Sequence, residues 1–209
     1  MIKCVVFDFD GTLADSKAVF IEIYNELAKK SGYTLMTPEN IEQLRAMSIS
    51  ERCKYLNVPV YKIPFIVAKF LKLYKGSVPL LQFCNGADKM LAALSGKNMP
   101  IAVISTNSQQ NISRFFDMKG IKVNDIFCSS RLHGKDSVIR KFLKAKKLLP
   151  TEILYVGDEA RDIIACRKVG VKAAWVSWGY DSVQAIENTP PDYIIHSPQE
   201  LLELIEAFQ

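Results

Sequence analysis

The chain has 209 residues, of which 49% are hydrophobic and 23% charged, with a formal net charge of +5. That length supplies one sizeable core, or one core plus a small accessory part, and that composition excludes a disordered chain. The mild positive excess can attract anionic substrates but makes no nucleic-acid surface, because no dense Arg/Lys run is interleaved with aromatic residues.

The first predicted element is a strand. Ile2, Cys4, Val5, Val6, Phe7 and Phe9 form a nearly continuous apolar run, the pattern of a strand buried on both faces, and Gly11 ends it. Asp8 and Asp10 stand at its end, where a side-chain period of two leans them to the same side. That side is the carboxyl edge at which open α/β sheets bind ligands. Two close like charges call for a counter-cation, and a hard ion such as Mg2+ suits them while keeping waters for a substrate phosphate. The alternative is an ordinary Asp-Gly turn after a strand. The run Asp8-Phe9-Asp10-Gly11-Thr12-Leu13 after such a strand resembles the haloacid dehalogenase superfamily of phosphohydrolases. The following Ala14-Asp15-Ser16 resembles its phosphoglycolate-phosphatase-like branch. The resemblance implies that Asp8 attacks phosphorus and that Asp10 acts as general acid and base.

From Ser16 the apolar period becomes helical. Val19, Phe20, Ile23, Tyr24 and Leu27 predict a helix capped by Asp15 or Ser16 and closed by Gly32. Thr37-Pro38-Glu39-Asn40 starts a second short helix through Ile41, Leu44 and Met47. A third runs from Ser48 or Ser50 to Leu56, and a fourth, after Val58-Pro59, from Tyr61 to Tyr74. No strand is expected here, and the stretch has the size of a small helical bundle. The resemblance makes it a cap domain, residues 16–82, inserted into a core of residues 1–15 and 83–209. Lys62, Lys69 and Lys72 share a face of the fourth helix and read as solvated surface. Arg45 carries a different expectation, that of a cap guanidinium reaching down to a substrate carboxylate or phosphate.

Val78 to Asn85, with Pro79 and then Gly86, is expected to be the returning linker, and Ala87 to Leu94 a core helix. Pro100 to Ser105 is a second buried strand ending in Ser105-Thr106-Asn107-Ser108, ahead of a helix that runs to Met118. Those polar groups either cap the helix or, with its free N–H groups, bind a phosphate. The resemblance favours phosphate, held by Ser105 or by Thr106 one residue on. Asp125 to Ser130 is a third strand, and His133-Gly134-Lys135-Asp136 opens an amphipathic helix through Val138, Ile139, Phe142 and Leu143. The resemblance implies that Lys135 neutralises the nucleophile and the transferring phosphoryl group. Asp136 departs from the family's frequent Pro, and His133 is expected to be a loop residue rather than a base. Thr151 to Val156 is a fourth strand, followed by Gly157-Asp158-Glu159-Ala160-Arg161-Asp162. An isolated Gly-Asp is an ordinary strand-to-helix turn, but with the other motifs in order this stretch resembles the family's acidic motif. It implies that Asp158 ligates Mg2+ and that Asp162 is a water-mediated ligand or an orienter of Lys135. Lys172 to Trp178 is a fifth strand in which Trp175 and Trp178 pack, and Gly179-Tyr180 again resembles the same branch. Asp192 to Ile195 reads as an edge strand and Pro198 to Phe208 as a final helix.

The expected fold is α/β: a doubly wound, Rossmann-like, mainly parallel sheet with a small all-helical cap. The implied reaction is Mg2+-dependent hydrolysis of a small, phosphoglycolate-like phosphate monoester through an aspartyl phosphate, with Mg2+ on Asp8, the Asp10 backbone carbonyl and Asp158. The rivals are a phosphomutase, a metal-free dehalogenase and a silent binding protein on the same scaffold. The set of Asp8, Asp10, Lys135 and Asp158 disfavours the last. Cys4, Cys53, Cys84, Cys128 and Cys166 lack a CxxC pair and read as buried reduced thiols. No apolar run reaches membrane-spanning length and the N-terminus enters a strand directly, so a cytoplasmic protein is expected. Its partner is expected to be a small phosphorylated metabolite, with neither nucleic acid nor membrane. Oligomeric state and the specificity residues of the cap have no readable signal.

Overall fold

The computed structural model describes residues 1–129 and 134–208. It opens with β1 (Cys4–Phe7), buried throughout. The Asp8 N–H still bonds the Val156 carbonyl, but the chain then turns, with the Leu13 and Ala14 N–H groups both donating to the Phe9 carbonyl. Gly11 takes a φ of 77° in that turn, a left-handed conformation open to glycine. Asp10 therefore lies in a turn beyond the strand, and the expected period-two alignment stops at Asp8.

β2 (Ala14–Asp15) leads into α1 (Lys17–Ser31), which ends at Gly32 with a φ of 71°. α2 (Ile41–Arg45) and α3 (Ile49–Tyr55) follow, the latter started by a reciprocal Ser48/Glu51 capping box. Val60–Lys62 winds as a 3-10 turn before α4 (Ile63–Ser77), whose second residue is Pro64. A proline lacks an N–H that the first helical turn would leave unbonded anyway, so α4 starts there rather than at Tyr61. The apolar stripes of these helices meet in a cluster of Tyr24, Ala28, Met36, Leu44, Leu56 and Val58. Lys62, Lys69 and Lys72 are exposed. After a 3-10 turn at Val78–Leu80, β3 (Gln82–Phe83) pairs antiparallel with β2, Ala14 opposite Phe83 and Asp15 opposite Gln82. The expected open linker is thus a small ribbon.

The chain continues through α5 (Ala87–Gly96), β4 (Ile101–Ser105), α6 (Gln109–Lys119) and β5 (Asp125–Cys128). Ser130 and His133 lie outside the described residues. There follow α7 (Lys135–Lys146), β6 (Ile153–Gly157), α8 (Ala160–Val169), β7 (Lys172–Val176), α9 (Val183–Ile186), β8 (Tyr193–Ile195) and α10 (Pro198–Glu206). β7 stops at Val176, so Trp178 falls in the turn after it.

The main sheet has the order β5-β4-β1-β6-β7-β8, and each neighbouring pair is parallel. Alternation along β1 sends Val5 and Phe7 to a core with Met90, Leu91, Phe115 and Leu201, and Cys4 and Val6 to a second core with Ile139, Phe142, Ile163 and Cys166. Helices therefore cover both faces, as the expected doubly wound α/β fold requires. β8 is an edge strand as expected. All five cysteines are free thiols, but only Cys4, Cys84 and Cys166 are buried as expected, Cys53 and Cys128 being half-buried. Among the described residues no helix is long and apolar enough to cross a membrane.

Candidate active site

β1 lies between β4 and β6, so the segments leaving these three strands converge at one edge of the sheet. β1 contributes Asp8 and Asp10, β4 contributes Ser105 and Thr106, and β6 contributes Asp158 to Asp162. Adjacent connections leave to opposite sides at such a point, which opens a crevice there.

Lys135, the first residue of α7, is 2% exposed and donates to Asp8 Oδ2 at 2.6 Å and also to Asp162 Oδ1. Burial alone would lower its pKa, but Asp162 and Asp8 outweigh that and raise it, so the ammonium stays charged. Asp8 Oδ1 accepts the Phe9 N–H at 2.7 Å. Asp10 has separate partners, with Oδ1 accepting from the Tyr74 hydroxyl of α4 and Oδ2 from Asn107 Nδ2 at 2.9 Å. Burial raises the Asp10 pKa against the pull of these two hydrogen bonds.

Asp158 is fully buried, and both its oxygens are held. Oδ1 accepts from Thr12 Oγ1 at 2.7 Å and Oδ2 from the Tyr180 N–H at 2.7 Å, while its carbonyl accepts from Trp175 Nε1 at 2.7 Å. Trp178 Nε1 likewise holds the Thr12 carbonyl at 3.1 Å, so both tryptophans bond the site loops as well as pack. A Cβ on Gly11 or Gly179 would overlap the Asp158 side chain, so both positions need glycine.

Ser105 is buried and its hydroxyl accepts the Asn107 N–H at 3.1 Å, while Thr106 lines the adjoining cavity. Arg45 lines that cavity too, but its guanidinium is engaged by the Tyr180 carbonyl at 3.1 Å, the Gly179 carbonyl at 3.4 Å and Glu42 at 3.0 Å. Thr12, Tyr74, Glu159, Arg161 and Tyr180 are site residues that the sequence does not single out, and Asn107 is one it offers only within a polar cluster. All but Tyr74 stood inside stretches already singled out.

Residues 5–176 match the family model of the haloacid dehalogenase-like hydrolases. This chain belongs to that family. A phosphoglycolate phosphatase of Synechococcus elongatus is 27% identical to it over 206 residues, covering 98% of this chain and 97% of its own. A predicted phosphatase from Clostridium acetobutylicum superposes with a TM-score of 0.83 at 18% identity, over 99% of both chains. A variant of CbbY from Rhodobacter sphaeroides, solved with xylulose-1,5-bisphosphate, superposes at 0.73 with 18% identity over 96% of both. At these identities the two structures share the fold.

Phosphatases of the haloacid dehalogenase-like family typically use Mg2+, and the donors here fit such a cation. Asp8, Asp10, Asp158, Glu159 and Asp162 crowd an edge where the facing cations are Lys135, Arg161 and, toward Glu159, Arg52, and ligand atoms of Asp8, Glu159 and Asp162 lie within 4.8 Å of one another. Burial, with Glu159, Asp8 and Asp162 adding to it, pushes the Asp158 carboxyl well above its ordinary range. Burial also pushes Asp162 up to about 7 against the pull of Lys135. Glu159 is lowered despite its burial, chiefly by Arg161, whose Nε donates to it at 2.8 Å. A cluster of hard oxygen donors short of positive charge suits Mg2+.

Proposed function

We propose that this haloacid dehalogenase-like phosphatase hydrolyses a small phosphate monoester through an aspartyl phosphate, with Mg2+ as cofactor. Residues 16–82 would act as a cap over a core of residues 1–15 and 83–209. The observation that carries this reading is that Asp8 and Asp10 have different environments. Asp8 is buried against the Lys135 ammonium, whereas Asp10 is held by the neutral Tyr74 and Asn107. Two neighbouring carboxyl groups so divided suit two roles.

Asp8 attacks phosphorus, and its oxygen–phosphorus bond forms as the bond to the leaving oxygen breaks, while Asp10 gives that oxygen a proton. Water then attacks phosphorus, Asp10 takes the water's proton, and the Asp8–phosphorus bond breaks to release phosphate. Lys135, Ser105, Thr106 and the N–H groups at the start of α6 hold phosphoryl oxygens, and Asp162 orients Lys135. Asp8, the Asp10 carbonyl and Asp158 would hold Mg2+, with Glu159 widening the donor set. Such an ion, when bound, offsets the charge of the acids and polarises the phosphoryl oxygens. Phosphoglycolate, named for the Synechococcus relative, is a reference compound for this substrate class.

The test is release of phosphate from p-nitrophenyl phosphate. The wild type should be active with Mg2+, silent with EDTA and restored by added Mg2+, and Asp8→Asn should be inactive. No release by the wild type, or undiminished release by the variant, overturns the reading.

A further inference from the structure

A cavity of about 270 Å3 reaches from Asp10, Thr106 and Asn107 at the sheet edge into the helices of residues 16–82. Its wall there is mainly apolar, built from Phe20 and Ile21 of α1, Ile41 and Leu44 of α2, and Ile66 and Phe70 of α4. Phe20 packs at 5.1 Å from Phe70 and edge-on at 5.4 Å from Tyr180, so the wall continues down to the core.

The cations that line this cavity are nearly all committed elsewhere. Arg45 is held by Glu42 and the carbonyls of Gly179 and Tyr180. Arg52 donates to the Leu44 carbonyl at 2.7 Å and pairs with Asp181, and Arg161 pairs with Glu159. Among the described residues Lys17, at the start of α1, is the lining cation with no ion pair. A sugar or carboxylate leaving group entering this wall would give up water for few partners, and burying a polar group without a hydrogen bond is unfavourable. An apolar group loses nothing there.

Building on the phosphatase reading, we propose that the leaving group of the physiological substrate is apolar, an alkyl or aryl group seated among α1, α2 and α4 with its phosphate at Asp8. The volume is a little under the ~300–1,000 Å3 of ordinary ligand pockets, which leaves room for several carbon atoms.

The experiment compares kcat/KM, with Mg2+, for methyl, butyl and hexyl phosphate, phenyl phosphate and 2-phosphoglycolate. The n-alkyl leaving groups have nearly equal acidity, so the trend with length reports burial. Each buried methylene should raise kcat/KM about fourfold, the equivalent of ~0.8 kcal/mol at 1.4 kcal/mol per tenfold. Hexyl phosphate, with five more methylenes, should exceed methyl phosphate by about 700-fold on that slope and should also exceed phosphoglycolate. Ile66→Asn should reduce the hexyl-to-methyl ratio at least tenfold.

A flat series, preference for phosphoglycolate, or an unchanged ratio in Ile66→Asn overturns the apolar leaving group. Turnover of methyl phosphate with a flat series does so while sparing the phosphatase reading. If no ester is turned over the phosphatase reading fails, and calorimetric titration with hexylphosphonate against methylphosphonate still decides the apolar site. Equal affinities would refute it.

Discussion

Lys135 sits between Asp8 and Asp162 with almost no access to water, so both carboxylates depend on its charge. Lys135→Met would leave two buried carboxylates without their ion-pair partner. The expected cost is ~3–5 kcal/mol of stability, read by chemical denaturation in EDTA, together with a loss of about a hundredfold or more in kcat. Asp8→Asn should separate the two effects, because Lys135 keeps Asp162 as a partner while one of the crowded carboxylates disappears. Its unfolding free energy should stay within ~1 kcal/mol of the wild type, while turnover falls by at least about a thousandfold. Gly179→Ala should act on neither group directly but displace Asp158, whose side chain occupies the space that the new methyl needs. It should weaken Mg2+ binding in a calorimetric titration, and unaltered affinity would count against Asp158 as a ligand. That Asp8, Lys135 and Asp162 meet was expected from the family resemblance and not from spacing, since a lysine at the start of an amphipathic helix ordinarily reads as surface. Glu159 and Arg161 lay in the same stretch, but nothing in their spacing separates an acid of the site from an acid of a turn. Tyr74 was hidden more deeply, as one apolar residue on a helix whose hydroxyl finds Asp10 only after α4 has docked.

Among the elements, the helices were readable because an apolar stripe at a period near 3.6 repeats over enough residues to stand out. β2 and β3 have two residues each and therefore no period to detect. Their pairing follows from the return of the chain rather than from local preference. α4 shows how one element serves two parts of the protein. Phe70 joins the cavity wall, and Tyr74, 5.8 Å from Phe70 between ring centroids, reaches Asp10. Tyr74→Phe keeps the ring in place and removes one hydrogen bond to the carboxyl. Folding should be unaffected and kcat should fall roughly tenfold, the equivalent of ~1.5 kcal/mol for a hydrogen bond to a charged partner. A variant with full kcat would remove Tyr74 from the account of Asp10.

Across the whole molecule, the doubly wound architecture was legible from the order of strands and helices, whereas the docking of the helical insert was not. That docking rests on Arg52 with Asp181, the Ser182 N–H on the Arg45 carbonyl at 3.0 Å, and Arg45 on the Gly179 and Tyr180 carbonyls, contacts between distant positions that leave no pattern. Arg52→Ala should loosen them and leave Asp181 buried without its partner. Proteolysis within residues 78–86 should be faster than in the wild type, and an unchanged rate would show that the pair does not hold the helices down. The same four residues, 179–182, have a second attachment, since the Tyr180 N–H bonds Asp158 and Asp181 bonds the Ala160 N–H at 2.7 Å. One short segment is thus tethered at once to the acids of the sheet edge and to α2 and α3. If the proposed cap opens and closes over the proposed cation site, the two equilibria share this tether and are thermodynamically reciprocal, so any free energy by which closure favours cation binding is returned, undiminished, as cation-driven closure.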